Sequence, residues 1–489
     1  MNNLRLQRKL EIEIQNLLRK SEELLVKQVS VRDMEKDIML HLIKLGLALL
    51  IAIIQEKNDY LKTKNFSLEE NFKDKGNRDR KYLSLFGEIT INRKALLSSE
   101  SGMIYPLDEY LELPQGTKWS YNLQEIVGES ASENDFRESV RVINMILPLN
   151  LSGKSSERNA NSLGYFVNDY YETRPVETEE TALCFTASFD GKGVPKIKNK
   201  PNPKARRRKG EKPNIMQMAT VSVTSCFEPK NQTVEGILNG LMGPDPNKLQ
   251  LVKPVEKLPK VNDNRWHQKI HKRAFLGNQK KGVDYGIADI KKRMQNPNSR
   301  FVVPIDAGIG LEDIVLKSIK KYNLEAQFDG IILDIIHVTE YVWKVANALL
   351  GENSNKRSNW VRSKLTKILN GQTAEVIKEF EQIIIETKLT KAKRKKIQKT
   401  ITYFTNHQHK MEYDKFIEKG YPVSSAIVES TCKHLVKERM EQSGMRWSSN
   451  GAQDIMDLRA VKLNEDMEDF INFVIKKERK PIKFSNKAA

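Results

Sequence analysis

The sequence predicts a mixed α/β protein, with one sheet-bearing core, an all-helical insertion within it, and helical regions plus a small β hairpin ahead of it. Three observations lead there. Between residues 181 and 338, strand-length apolar runs alternate with helix-length amphipathic segments. Residues 4–56 and 121–173 repeat their apolar residues at helical spacing. Residues 339–420 are helical in pattern and strongly charged, with a basic run from Lys391 to Lys399. A length of 489 residues exceeds one ordinary core, so several domains are expected, each with its own interior.

Taken in order, residues 1–80 read as a helical hairpin. Leu10, Ile14, Leu17 and Leu18 mark one helix, Ile38, Leu42, Leu45 and Leu49 the next, and Ser30 is placed to cap the second. Its long apolar stretch, Leu42 to Ile54, is interrupted by Lys44, is shorter than the roughly 20 residues a bilayer core requires, and reads as a buried face that packs on a later domain or a second subunit. Residues 81–120 switch to alternation (Leu83, Leu85, then Ile89, Ile91), with a bend at Gly87 and Glu88, as a strand pair does. Residues 121–175 return to three short helices with helix-turn-helix spacing or, equally, the pattern of a plain linking bundle. The third offers Lys154, Arg158, Asn159 and Asn161 near its start.

The core is expected over 181–338, resuming over 421–475, with a basic tail at 476–489. Its strands are Leu183 to Asp190, Met216 to Phe227, Arg300 to Asp306 and Asp329 to Val338. Helices fall at Gly282 to Met294 and Leu311 to Tyr322, and Pro422 to Met440 reads as an amphipathic helix bearing Glu429. Two or three antiparallel strands, then helix, strand, helix, strand, helix, is the element order of the RNase H-like fold. Between the first two strands, Lys196 to Lys212 holds nine Lys or Arg residues, among them Lys204, Arg206, Arg207 and Arg208, together with Pro201, Pro203 and Gly210. Such a segment builds no core and suits a phosphate-tracking arm or a solvated hairpin tip.

Composition narrows the function classes. Apolar residues at 39% exclude wholesale disorder, and charged residues at 30% argue against a membrane protein. No secretory signal pattern opens the chain, and Cys184, Cys226 and Cys432 lie too far apart for a zinc or disulfide framework, so a cytoplasmic protein with free thiols is expected. A net charge of +19 and a pI near 9.5 point to nucleic acid, where neutralising phosphates releases counterions. Aromatics at 7%, without a stacking platform, favour DNA over RNA.

Phosphoryl transfer by two divalent metal ions requires hard oxygen ligands and no cysteine or histidine cage. Asp190 and Asp306 each end a core strand beside a turn-forming sequence, and the first and fourth strands of this element order are neighbours. Glu429, on a helix after the insertion, can reach the same place. Taken singly, each is equally at home in a turn, a cap or an exposed helix face.

Specific residues then carry a resemblance. These are Ser188-Phe189-Asp190-Gly191-Lys192-Gly193, Leu333-Asp334-Ile335-Ile336-His337-Val338 with Glu340-Tyr341-Val342-Trp343, and a C-terminal block. The block runs from Ile427-Val428-Glu429 through Arg439-Met440, Ser443-Gly444-Met445-Arg446-Trp447 and Gly451-Ala452-Gln453 to Leu458-Arg459-Ala460. On these residues the chain resembles the ISKra-type bacterial insertion-sequence transposases, related to the Mutator-like DDE group. The resemblance implies an RNase H-like DNA transposase. Asp190, Asp306 and Glu429 would be its catalytic metal ligands, Mg²⁺ its cofactor with Mn²⁺ as substitute, and Asp334 and His337 supporting residues. An alternative takes Asp334 as the second ligand. Expected partners are double-stranded DNA, both transposon terminal repeats and target, and further copies of the chain as a homodimer or higher oligomer, with no membrane. Arg446 and Trp447 have two readings: a phosphate contact with base stacking, or packing of a loop. A structure-specific nuclease of the same fold and a non-catalytic, domesticated DNA-binding protein remain the competing functions.

Overall fold

The computed structural model describes residues 2–63, 72–98, 102–176, 178, 184–197, 216–244, 267–306, 308 and 310–479. They form two compact units, Met1–Thr173 with Asp457–Ala489, and Arg174–Met456.

The first unit opens with helices α1 (Asn2–Val26) and α2 (Val31–Thr63). Ser30 starts the second as expected, its Oγ accepting from the Asp33 amide at 3.2 Å. Within the described chain, the expected apolar face of α2 is largely uncovered. Val31–Leu61 is long and apolar enough to cross a membrane by length and composition, and only 17% of its most apolar window is buried. The cause is that the apolar residues surround the helix, so Ile38, Leu42, Leu49 and Ile53 remain exposed while Ile43, Ala52 and Ile54 pack inward.

Strands β1 (Lys73–Ser84) and β2 (Gly87–Ser98) form an antiparallel hairpin, with β3 (Gly102–Ile104) added at the edge. The hairpin starts eight residues before the predicted 81, and its turn lies at Leu85 and Phe86, between the paired Ser84 and Gly87. Arg80 and Arg93 both meet the buried carboxylate of Asp108 at 2.7 Å, on the short helix α3 (Pro106–Tyr110). Helices α4 (Tyr121–Glu133), α5 (Phe136–Ile146) and α6 (Gly153–Thr173) follow. On α6, Lys154 and Arg158 are exposed, but Asn159 is buried and donates to the Gln124 carbonyl at 2.8 Å, which removes it from the surface a groove would meet.

The second unit is built on a five-stranded mixed sheet: β4 (Cys184–Pro195), β5 (Met216–Phe227), β6 (Gln268–Leu276), β7 (Arg300–Ile305) and β8 (Phe328–Leu333). The strand order is β6-β5-β4-β7-β8, antiparallel from β6 to β4 and parallel from β4 to β8. The first and fourth strands are therefore neighbours, as expected. Helix α7 (Val234–Met242) follows β5. Helices α8 (Gln279–Arg293) and α9 (Leu311–Lys321) cover one face, where Phe185, Phe189, Val303 and Ile305 meet Val283, Ile287, Ile290 and Val315. Apolar residues of α10 (Ile335–Leu350), α11 (Arg357–Leu369), α12 (Thr373–Glu386), α13 (Lys391–His407) and α14 (Tyr413–Glu418) share a core with Val302, Ile332 and Leu333.

Two element boundaries differ from expectation. The run Asp329–Val338 is strand only to Leu333, because Asp334 caps α10 and turns the chain into a helix. Pro422–Met440 is helical only from α15 (Ala426–Thr431), continues as a π-helical turn over Cys432–Lys437, and ends in α16 (Glu438–Met440). Helices α17 (Ser449–Leu463) and α18 (Met467–Glu478) complete the chain described. The core expected to resume over 421–475 is thus divided, because residues from Asp457 onward belong to the first unit. There, Asp466 accepts from the Tyr171 hydroxyl at 2.9 Å and the Arg459 guanidinium donates to the Ser132 carbonyl at 3.0 Å.

Candidate functional site

Three parallel strands reach one level at their carboxyl ends. Phe189 pairs with Ile305, and Ile305 with Leu333. The next residue on each strand is an aspartate: Asp190, Asp306 and Asp334. In a parallel sheet the crevice beyond the strands' carboxyl ends is where ligands gather, because loops and helix N-termini open there. Asp190 does not end its strand as the sequence suggested. β4 continues to Pro195 against β5, and only the pairing with β7 stops at Phe189, so the strand is open on the side where β7 turns away.

Asp190 is half-buried and its Oδ1 accepts from the Gly191 amide at 2.6 Å. Asp306 is also half-buried, with Oδ1 accepting from the Gly308 amide at 3.0 Å ahead of α9. Asp334 differs from both. It is fully buried, Oδ1 accepts from the Ile336 amide at 3.0 Å, and Oδ2 accepts from the Ser425 hydroxyl at 2.7 Å.

The Ser425 bond explains how Glu429 returns to the sheet after a helical excursion of 95 residues (429 − 334). The end of the helical segment α10–α14 is fastened beside its beginning. The Ile335 amide donates to the Val423 carbonyl at 3.1 Å, Tyr413 donates to the Leu333 carbonyl at 2.7 Å, and Tyr421 donates to Asp329 at 2.7 Å. Gly420 completes the clasp at φ +71: its carbonyl accepts from the Lys230 amide at 3.1 Å, and an added Cβ would lie 2.8 Å from the Lys230 backbone. Four residues beyond Ser425, α15 carries Glu429.

The Glu429 carboxyl is held above the usual carboxylate range, by burial first and then by the negative charges of Asp334, Asp190 and Glu340, with His337 acting in the opposite direction. The His337 Nε2 lies 3.4 Å from Glu429 Oε1, and its Nδ1 lies 3.9 Å from Glu340 Oε2. Ligand atoms of Asp334, His337 and Glu429 all fall within 4.8 Å of one another, the one such group among the described residues with metal-holding geometry. Asp334 and His337, the expected supporting residues, have different partners. As the cap of α10, Asp334 turns back onto its own first turn, and His337 is flanked by Glu429 and Glu340 instead.

The predicted residues thus divide. Asp190 and Asp306 stand on adjacent strands one step past a paired position, and Glu429 senses Asp190. Asp306 is felt by Tyr403 of α13, whose phenol is pushed up by burial first and then by Tyr341, Asp306, Asp334 and Glu340. Hard carboxylate oxygens suit Mg²⁺ or Mn²⁺; among the described residues the group with metal-holding geometry is Asp334, His337 and Glu429, and Asp190 and Asp306 do not fall within it.

Trp447 takes the packing reading, which corrects its place among DNA-contacting residues. It is 6% exposed, its indole donates to the Met440 carbonyl at 3.0 Å, and the buried Arg439 guanidinium lies 4.9 Å from its ring. Its backbone bonds to Pro195 and Ile197 at 3.0 and 2.9 Å, at the point where β4 gives way to the basic segment. Arg446 beside it is exposed. Lys204, Arg206, Arg207 and Arg208 lie outside the described residues.

Sequence reasoning missed Ser425, Cys432 and Tyr403. Ser425 was detectable as a serine immediately before an apolar helical run. The Cys432 thiol is pushed well up, by burial and then by the charge and hydrogen bond of Asp190; no signal in the sequence placed the two together. No known family model matches the chain, and no curated protein matches it.

Proposed function

We propose that this protein is a DNA transposase with an RNase H-like core, in which Asp190, Asp306 and Glu429 hold two divalent metal ions. The observation that carries the reading is the level at which β4 and β7 place Asp190 and Asp306, one residue past the Phe189–Ile305 pair, with Glu429 close enough to sense Asp190. The sheet order β6-β5-β4-β7-β8 supports this reading, in which the helices between β8 and α15 would be the insertion. Bound Mg²⁺ or Mn²⁺ would supply an activated attacking oxygen and charge stabilisation for the leaving oxygen.

The protein's own part is positioning. Asp190 and Asp306, each fixed by a neighbouring backbone amide, present carboxylate oxygens at a constant separation set by the sheet. Asp334 and Ser425 orient the helix that carries Glu429. Water attack on a phosphodiester at a transposon end breaks the P–O3′ bond and releases a 3′-hydroxyl. That hydroxyl then attacks a target phosphodiester, forming a new P–O bond as the target's own 3′-oxygen leaves. Neither step needs a covalent bond to the protein. Arg446 and the basic segment after β4 would bind phosphates, and the N-terminal unit would recognise ends and pair protomers.

A second reading rests on the compact Asp334, His337 and Glu429 group. With Asp334 as second ligand and a nitrogen donor at hand, it describes a metal-dependent nuclease that cuts without joining.

A strand-transfer assay on DNA bearing the terminal repeats, with Mg²⁺ or Mn²⁺, separates the two. Joined products should fall about 10² to 10³-fold or more in Asp190→Ala, Asp306→Ala and Glu429→Ala, the scale of removing one charge-stabilising group from a preorganised site. Cleavage without joining by the parent protein would overturn the transposase in favour of the nuclease, and DNA binding without chemistry would leave a non-catalytic scaffold.

A further inference from the structure

Helix α13 carries a concentration of positive charge that the chemistry above does not use. From Lys391 to Lys399 it holds six cations (Lys391, Lys393, Arg394, Lys395, Lys396 and Lys399) and no acid. All six are exposed, and none forms an ion pair with a described residue. Two acids of the neighbouring α12 are engaged by α11: Glu379 lies 2.6 Å from Lys367 and also meets Lys364, and Glu375 lies 3.9 Å from Lys367. The charges also stand at the start of the helix, where its dipole disfavours cations and no acid offsets them. Mutual repulsion and the dipole both cost the free protein stability. The inward side of the helix, Ile397, Thr400, Ile401 and Phe404, fully explains its packing without them.

The charged face leads into the candidate site. Lys396, Lys399 and Tyr403 follow at i, i+3 and i+7, which puts them on one side of the helix. Tyr403 lies near enough to Asp306 and Asp334 for both to shift its phenol, and it stacks on Tyr341 at 3.9 Å and 13°. Lys344 sits 4.0 Å over the Tyr341 ring and extends the positive side on α10. At its other end, the segment after α13 is anchored next to Asp306. His409 and Lys410 meet Glu312, in the first turn of α9, at 2.9 and 2.6 Å. From Lys391 to Tyr403 is 12 residues, about 18 Å of helix, a span along which a DNA duplex presents roughly ten phosphates.

We propose that the exposed basic face of α13 binds the phosphate backbone of the duplex that flanks the scissile phosphate, and guides it to Asp190, Asp306 and Glu429. The helical insertion is then a DNA-binding element, and Tyr403 marks the end of its track. This rests on the proposed DNA-processing function, whose failure the experiment can tell apart.

The experiment measures affinity of the full chain for a fluorescein-labelled duplex of arbitrary sequence, in EDTA, across a potassium chloride series. One variant combines Lys391→Gln, Lys395→Gln, Lys396→Gln and Lys399→Gln; glutamine keeps helix propensity while removing charge. A charge-matched control combines Lys280→Gln, Lys281→Gln, Lys291→Gln and Lys292→Gln on α8, which packs on the other face of the sheet. Each lost phosphate contact reduces the slope of log K against log salt by about 0.9, so the four-lysine α13 variant should be shallower than the parent by about 3.6 if all four contact phosphates, and the α8 control by less than about 1. Equal slopes in the two variants, or an unchanged slope in the α13 variant at an unchanged melting temperature, overturn the proposal and leave the catalytic reading intact. Parent-like binding by Asp190→Ala with undiminished cleavage would instead remove the catalytic reading and leave the surface. Absence of salt-dependent binding by the parent chain overturns both.

Discussion

Asp334 and Glu429 show how two carboxylates in one site are given different work. Asp334 is fully buried, with one oxygen on the Ile336 amide and the other on the Ser425 hydroxyl, whereas Glu429 is partly exposed and raised by its acidic neighbours. An asparagine in place of Asp334 can still accept from Ile336 and can donate to Ser425. Asp334→Ala, by contrast, leaves a buried donor and a helix start unsatisfied, which should lower stability by about 2 kcal/mol or more in denaturant unfolding, against less than about 1 kcal/mol for Asp334→Asn. Joining activity should follow the same order if Asp334 positions the Glu429 helix. Loss of activity in a stable Asp334→Asn protein would mean that its charge serves as a metal ligand. Of these residues, the sequence made Asp190 and Glu429 visible through their surroundings. The Ser425 contact, 91 residues from Asp334, is a product of the fold alone.

At the scale of elements, four of the five core strands were legible as short apolar runs bounded by turn residues, and the adjacency of β4 and β7 followed from their order; β6 (Gln268–Leu276), about half of it charged or polar, gave no such run and was not placed. Strand ends were less legible. The run from Asp329 stays apolar through Val338, and only the capping geometry of Asp334 separates β8 from α10. The π-helical turn at Cys432–Lys437 has no periodic signature of its own, yet it lies directly after Glu429 and sets Cys432 against Asp190. The apolar residues of α2 were visible, but they lie all round the helix, and which of them are covered depends on neighbours that local sequence does not specify. Packing of α8 on the sheet gives a direct test. An added Cβ at Gly286 would come within 2.5 Å of the Ser222 hydroxyl oxygen and 2.7 Å of the Phe189 ring. Gly286→Ala should therefore cost about 1–3 kcal/mol in unfolding experiments. Because Phe189 precedes Asp190, it should also reduce catalysis more than an equally destabilising change in α12; equal effects would separate the ring from the site.

For the molecule as a whole, two buried histidines set the acid limit. Burial lowers His267 to about 4 and His271 to about 3, the latter also bonded to the Tyr285 hydroxyl at 2.7 Å. Unfolded, both protonate near 6.5, so the unfolded state takes up protons first as pH falls. Stability is then fully present above about pH 6.5 and declines toward pH 4, with a slope approaching 2.7 kcal/mol per pH unit for the pair. Urea unfolding between pH 7.5 and 4.5 should show this decline, and His267→Gln with His271→Gln should flatten it; a parent curve that is level across the range would contradict neutral burial. The insertion has a further consequence for the order of events in synthesis. Asp306 and Glu429 are separated by 123 residues (429 − 306), which at the usual 5–20 residues per second take roughly 6 to 25 s to make. For that interval a growing chain owns its aspartates but lacks the glutamate. Under the proposed function, the helices between β8 and α15 would thereby act as a timer, withholding the ability to cut DNA from the nascent polypeptide until they have formed and the clasp at Gly420 has closed.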